Sequence, residues 1–241
     1  MALLVRHEDR EYVVEAGGEL RTDLGVLAIP PDATPGDTLE THLGEKFSVR
    51  GLRAPDCFEH FERTGAPMLP RDIGLVMGET GASTGDRVLD VGTGTGVLAA
   101  YLAMAGATVL TYERDAEAAM VARENFAMAG VAERIEVREG DARRAIEDEQ
   151  VAPVDVITLD TGDAPALAAR ADNLLVSGGC LAAYSPFVET TREIVKAARE
   201  ELADVRAFDT IQRTLDIDDR GTRPSTRPVG HTGYLIVGRK A

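Results

Sequence analysis

Tryptophan is absent from this 241-residue chain, which also holds only two cysteines and four histidines. Each scarcity removes an explanation. Cys57 and Cys180 give no metal-ligand spacing, and no Cys/His cluster stands anywhere, so no metal is expected. Cys180 lies in an apolar run and reads as a packed thiol rather than a reactive one. No apolar run approaches the roughly 20 residues of a membrane span. The opening Met1-Ala2-Leu3-Leu4-Val5 turns polar at Arg6, too soon for a secretion signal. A cytoplasmic protein that meets no membrane is expected.

Basic charge is scarce too. Lys and Arg number 26 against 41 Asp and Glu, a net charge of -15. Nucleic-acid enzymes normally show a basic surface, so the sign is wrong for one. Lysine is confined to Lys46, Lys196 and Lys240, while arginine is common. Acid excess with lysine depletion reads as adaptation to a high-salt cytoplasm, that of a halophilic archaeon. Fields there are screened within about 3 Å at 1 M salt. Net charge then stops reporting on partners. A local arginine patch can still hold RNA by direct contact; an acidic enzyme of small substrates fits the same balance.

What is present centres on one stretch, Arg87-Val88-Leu89-Asp90-Val91-Gly92-Thr93-Gly94-Thr95-Gly96-Val97-Leu98. A β-branched apolar run reads as a buried strand, and glycines then permit a tight turn. The segment Val97–Ala103 reads as a helix, whose first N–H groups face whatever lies on the loop. Glycine falls at the first, third and fifth positions, with Val97 at the sixth, so the dinucleotide spacing is not met. The loop, with Asp90 two residues before it, resembles the S-adenosylmethionine loop of class I methyltransferases. Two more acids support this. Glu113 closes the strand 108–112, where a carboxylate can accept both ribose hydroxyls. Asp141, with Ala142, follows the strand 135–138, where an adenine amino group can be held.

The chain divides in two. Residues 1–64 read as a small all-β domain with a linker: short strands at 11–15 and 24–29, further pieces over 38–50, and a linking helix over 56–63. Residues 65–241 read as the catalytic domain. A helix starts at Pro70 and ends near Gly78. Helices 115–129, 142–149, 164–176 and 187–202 then alternate with strands 134–138, 154–160, 180–184 and 205–212, and a last strand lies within 231–238. Alternation predicts an α/β fold: a mainly parallel, Rossmann-like sheet with helices on both faces and ligands at the strand C-terminal ends.

Asp160 ends the run 154–160 on the acceptor side. It either accepts from an exocyclic amine, offsetting charge on a methylated base, or caps the next helix. Asp163 reads as that helix's N-cap. Tyr184 either contacts a base or packs.

Arg223-Pro224 and Gly230-His231-Thr232-Gly233-Tyr234-Leu235 resemble the C-terminal signature of the tRNA (adenine-N1)-methyltransferases of T-loop position 58, whose archaeal members also act at 57. Pro70-Arg71-Asp72, Tyr112-Glu113-Arg114, Ala183-Tyr184-Ser185-Pro186, Thr210-Ile211-Gln212-Arg213 and the N-terminal Gly17–Gly25 stretch extend the likeness over nearly the whole chain. The resemblance implies a homotetramer acting on tRNA. It makes Asp160 the catalytic carboxylate, beside Tyr184, and puts Glu113, Arg114, Asp141 and Ala142 on the cofactor's ribose and adenine. Thr95 to Leu98 would line its methionine end, and Arg223 and His231 would lie near the RNA or brace the site. His231 reads equally as a hydrogen-bonded structural histidine. The family usually carries Asp-Leu-Pro where Asp160-Thr161-Gly162 stands, a tyrosine at Leu69 and a glutamine at Ala66. Methyltransferases of small molecules or protein side chains share the glycine loop. A non-catalytic tRNA-binding subunit would be expected to lose the cofactor acids, which this chain keeps.

Overall fold

Apolar residues alternate at the chain's start, and in the computed structural model, which describes residues 2–148, 151–226 and 230–241, they form a strand. This strand, β1 (Ala2–His7), buries Leu3, Leu4 and Val5. The sequence reading treated the segment only as too polar for a signal. It is instead a central strand, between β2 (Arg10–Glu15) and a later one. The hairpin β3 (Glu19–Thr22) and β4 (Gly25–Ala28) follows, then β5 (Thr38–Glu40) and β6 (Lys46–Gly51). The sheet order is β2-β1-β6-β5, antiparallel throughout, over a core of Leu3, Val5, Leu27, Phe47 and Val49.

Helix α1 (Ala54–His60) hangs from this sheet by ions. Arg50 on β6 donates to Asp56 at 2.8 Å and to Glu11 on β2 at 2.9 Å. Its apolar side faces the other way, and Cys57, with Phe61 just beyond, is buried in the core of the larger sheet. Helix α2 (Pro70–Thr80) opens on proline, which lacks the N–H that a first turn leaves unpaired. It runs past Gly78, the expected end, and stops where Gly81 takes the left-handed conformation, φ 71°.

Strand and helix then alternate as expected: β7 (Arg87–Val91), α3 (Val97–Met104), β8 (Thr108–Glu113), α4 (Ala116–Ala129), β9 (Ile135–Glu139), α5 (Ala142–Asp148) and β10 (Val154–Leu159). Glu149, the expected last residue of α5, lies outside the described residues. The single helix expected over 164–176 is two short ones, α6 (Ala164–Ala168) and α7 (Ala171–Leu174). Leu175 is drawn into the sheet opposite Val154, so β11 (Leu175–Ser185) starts earlier than expected. After α8 (Val188–Glu201), β12 (Ala203–Asp209) stops three residues short of the expected 212. An unforeseen hairpin, β13 (Leu215–Asp218) and β14 (Gly221–Pro224), precedes β15 (Tyr234–Arg239).

The seven strands are ordered β12-β15-β11-β10-β7-β8-β9. The five from β11 to β9 are parallel, and β15 is antiparallel to both neighbours. Side chains alternate between two cores. Val88, Val156, Leu235 and Val237 face α1 to α4, while Leu89, Ile157 and Ile236 face α5 to α8. Helices therefore cover both faces, and the strand ends of β7 to β11 share one edge.

Leu181 on β11 is fully buried in the second core. Leu181→Ala is expected to cost roughly 2–5 kcal/mol, read as a fall in urea midpoint with an unchanged slope.

Candidate active site at the carboxyl edge of the sheet

Past Val91 the chain turns on Gly92, at φ 99°. A Cβ there would stand 2.1 Å from the carbonyl oxygen of Asp160, so only glycine lets the ends of β7 and β10 meet. The Asp160 N–H donates to the Val91 carbonyl at 2.9 Å across the same contact. Gly96 (φ 84°) lies against the Phe126 ring, 2.5 Å from a virtual Cβ. The loop is thus wedged between a strand end and a helix before α3 begins.

A cleft of about 390 Å³ opens at this edge, within the range of small-molecule sites. Gly92, Gly94, Glu113, Arg114, Ala142 and Asp160 are among its walls. A narrow crevice of about 50 Å³ continues from it, between residues 66–68 and Thr93 to Leu98. Gly92, Gly94 and Asp160 line both, so Asp160 is the only side chain bridging the two among the described residues.

Glu113 is fastened before any ligand arrives. It accepts from the N–H groups of Gly94 (2.8 Å), Arg114 (2.8 Å) and Asp115 (3.0 Å). A carboxylate has about four acceptor positions, which leaves roughly one for the cleft. The sequence reading gave it two hydroxyls. Asp141 is also engaged: its carboxylate accepts from the Arg143 N–H at 2.9 Å and caps α5, while neighbours Gly140 and Ala142 line the cleft.

Asp90 does not reach the cleft wall. It is 2 % exposed and accepts from Thr111 on β8 and Thr158 on β10. Thr111 has one hydroxyl proton and donates it to Asp90, so Thr93, 2.6 Å away, is the donor to Thr111. The loop is thereby tied through two hydroxyls to the buried acid. Burial pushes the Asp90 carboxyl up to about 6; Glu113 adds to the rise and the two threonines oppose it. Asp160 faces the cleft, yet the protein packed around it, with the Asp90 charge behind, also lifts its carboxyl to about 6.

Asp163 holds the N-cap position of α6 as expected, but its carboxylate accepts no N–H of the helix. It pairs instead with Arg114 at 2.5 Å and lies 3.7 Å from Arg143, because two guanidinium groups across the cleft mouth outcompete a backbone N–H.

Tyr184 lines neither cavity. Its hydroxyl donates to Asp72 at 3.4 Å, and its ring lies over Gly233, where a Cβ would be 2.4 Å away. Thr232 donates to the same Asp72 oxygen at 2.8 Å and accepts from Arg71 at 3.0 Å. Burial raises the Tyr184 phenol to about 12, and the charges of Asp72 and Asp160 add to this. The Pro-Arg-Asp start of α2, Tyr184 and the strap before β15 therefore make one part-buried polar cluster around the buried Asp72. His231 on that strap donates from Nε2 to the Pro186 carbonyl at 3.1 Å, with Nδ1 3.5 Å from Asp209. Arg223 stands exposed on β14, 3.9 Å from Asp216 and outside the cleft.

The sequence reading missed Asn125. It is buried on α4, accepts from the Glu62 N–H, and donates to the carbonyls of Glu62 and Thr95, each at 3.0 Å. One side chain thus pins the linker to the glycine loop. The available signal was a lone amide on the apolar face of α4, between Ala122 and Phe126.

Residues 62–222 match the family model described as tRNA methyltransferase complex GCD14 subunit. The tRNA (adenine(57)-N(1)/adenine(58)-N(1))-methyltransferase TrmI of Methanocaldococcus jannaschii is 32% identical over 98% of this chain and 94% of its own. The structure of a SAM-dependent O-methyltransferase of Thermotoga maritima superposes with a TM-score of 0.82 at 26% identity, over 100% of this chain and 92% of that one. That of a tRNA methyltransferase TrmI of Aquifex aeolicus, 19% identical, shares the fold with a TM-score of 0.77, over 100% of this chain and 97% of that one.

Two glycines of the loop separate steric need from backbone need. Gly94 has φ 50° with open space at its Cβ, whereas Gly92 has no space at all. Gly94→Ala is expected to cost about 1 kcal/mol, and Gly92→Ala several times more, as the strand ends must part. Thermal melts of both variants check this.

Proposed function

The chain belongs to the family of the tRNA methyltransferase complex GCD14 subunit, and we propose that it transfers the methyl group of S-adenosylmethionine to N1 of adenine in the tRNA T loop, at position 58 with the neighbouring 57 as a second target. The observation that carries this is Asp160, whose carboxylate bridges a cleft fitted to the cofactor's adenosine and a crevice fitted to its methionine end.

The residues present suit that cofactor. Glu113 offers an acceptor to a ribose hydroxyl, and Arg114 and Ala142 border the place for adenine, with Asp141 between the lining residues Gly140 and Ala142. The Thr95 hydroxyl is buried with no partner, at the crevice beside Val97 and Leu98 at the start of α3. Unpaired donors at a helix N-terminus suit a carboxylate. Asp90 shapes the site from behind without touching the ligand. When bound, the cofactor supplies an electrophilic sulfonium methyl.

The adenine is unstacked from the T loop and held at the edge of the sheet. Asp160 accepts from its exocyclic amine, which concentrates electron density on N1 and offsets the positive charge that methylation leaves on the ring. Tyr184, fixed through Asp72, positions the wall on the β11 side. Positioning and electrostatics carry the rate, and no proton has to leave for the new bond to form. His231, bound to the Pro186 carbonyl, braces the acceptor side, and Arg223 reaches the RNA from the hairpin. The β sheet within residues 1–64 serves as an accessory unit to a catalytic unit over 65–241. The same reading takes the chain to be a homotetramer in a salt-rich cytoplasm, as the likeness to its family implies.

Asp160→Ala is expected to abolish 1-methyladenosine formation on unmodified tRNA in concentrated KCl while calorimetry still records cofactor binding; retained turnover would remove its role. Because the Asp160 carboxyl is raised to about 6, it is ionised above that pH. The rate constant for transfer should therefore fall as pH drops through about 6. The stability sign is opposite. Folding disfavours the charged form, so Asp160→Asn should melt higher than the parent at pH 8, and the gap should close as pH falls from 6 toward 4.

A further inference from the structure

Phe187 is 65 % exposed in a chain with six phenylalanines and no tryptophan. Its backbone, by contrast, is held on every side. The Phe187 carbonyl accepts from the Thr191 N–H at 3.0 Å, from the Thr191 hydroxyl at 2.9 Å and from the Ser185 hydroxyl at 3.3 Å. The Phe187 N–H donates back to the Ser185 hydroxyl at 3.3 Å. Pro186 before it has a fixed φ, and His231 grips the Pro186 carbonyl at 3.1 Å. The result is an aromatic ring on an immobilised stalk, facing water.

Its place in the fold is as telling as its exposure. Ala183 is paired with Leu159 in parallel register, so Tyr184 lies level with Asp160 at the reactive edge. Phe187 follows three residues later, at most about 10 Å further along the chain. A span of that length would let the ring reach the base next to one held at Asp160. Ile211, 74 % exposed, stands two residues past the end of β12 at this edge, with the His231 strap between the two segments.

We propose that Phe187 is the stacking platform for a nucleobase next to the target adenine, so that it sets tRNA affinity rather than chemistry. This rests on the RNA reading of the same site. An unstacked strand loses base–base contacts, and a rigid aromatic face replaces one of them with little ordering cost. The chemistry also suits an acidic protein in salt: stacking needs no basic charge and survives screening that removes long-range attraction.

The test compares the parent with Phe187→Ala, Phe187→Leu and Phe187→Tyr on unmodified tRNA in concentrated KCl. Phe187→Ala and Phe187→Leu are expected to raise the tRNA KM by roughly 5- to 150-fold, the range of a base–aromatic stack. The rate at saturation, S-adenosylhomocysteine affinity and oligomer mass should stay unchanged, and Phe187→Tyr should match the parent. A T-arm RNA with 2-aminopurine beside the target should show quenching with the parent and Phe187→Tyr only. Equal KM values for all four proteins would overturn the proposal, as would Phe187→Leu behaving like the parent, which means apolar contact alone. A change of oligomer mass in Phe187→Ala would also overturn it, because another copy of the chain then covers the ring. If the parent neither binds nor methylates tRNA, the RNA reading falls first and takes this inference with it.

Discussion

A single buried carboxylate, Asp90, holds the centre of this structure together. It sits near the end of β7, the middle one of the five parallel strands, and accepts from a threonine on each neighbouring strand. A buried charge without partners costs several kcal/mol. The sheet is therefore constrained to keep Thr111 and Thr158 opposite it, and with them the register of β8 and β10. Thr93 hangs from Thr111, so the glycine loop inherits its position from the same acid. The charge is also felt by Asp160, whose carboxyl it helps to raise. One acid set behind the cleft wall thus fixes the loop and helps to raise the carboxyl of Asp160.

The acceptor side depends on a second buried acid. Asp72 gathers Thr232 and Tyr184, with Arg71 alongside, from segments far apart in the chain. Gly233 allows the tyrosine ring to lie on the strap because any side chain there would occupy the ring's place. The cluster explains why an arginine–aspartate pair opens α2 and why a threonine follows His231. Both serve one polar joint, away from the cavities and next to the carboxyl edge of the sheet.

Between these acids, the two ends of the site are built differently. The cofactor side is stiff, with Glu113 already holding three backbone N–H groups and the loop wedged against Phe126. The acceptor end, where we place the RNA, is open: an exposed hairpin, exposed Phe187 and Ile211, and Thr161-Gly162 where a proline-stiffened turn is usual in the family. A small ligand requires a preformed cradle, whereas a large one is recognised over a surface. In a chain of net charge -15, that surface has to work through contact rather than field.

Much of this was legible in the sequence because it is local. The strand–loop–helix around Gly92, the acids closing successive strands, and the helices on both faces follow from residue period and turn chemistry within a few positions. Element ends were less legible. Gly78 lies inside a helix that stops only at the left-handed Gly81, and Leu175 joins a strand because it is paired opposite Val154. The sequence by itself determined the fold class, the family and the acids from which the site is made. Only the tertiary structure decided what each acid does: Asp90 is enclosed, Asp160 open, and the Asp163 carboxylate at the α6 N-cap is paired with Arg114 rather than with a helix N–H. It also made Asn125 a tie between linker and loop. The reason is distance along the chain. A carboxylate's role is set by its burial and its partners, and those partners lie as far off as Thr232 is from Asp72.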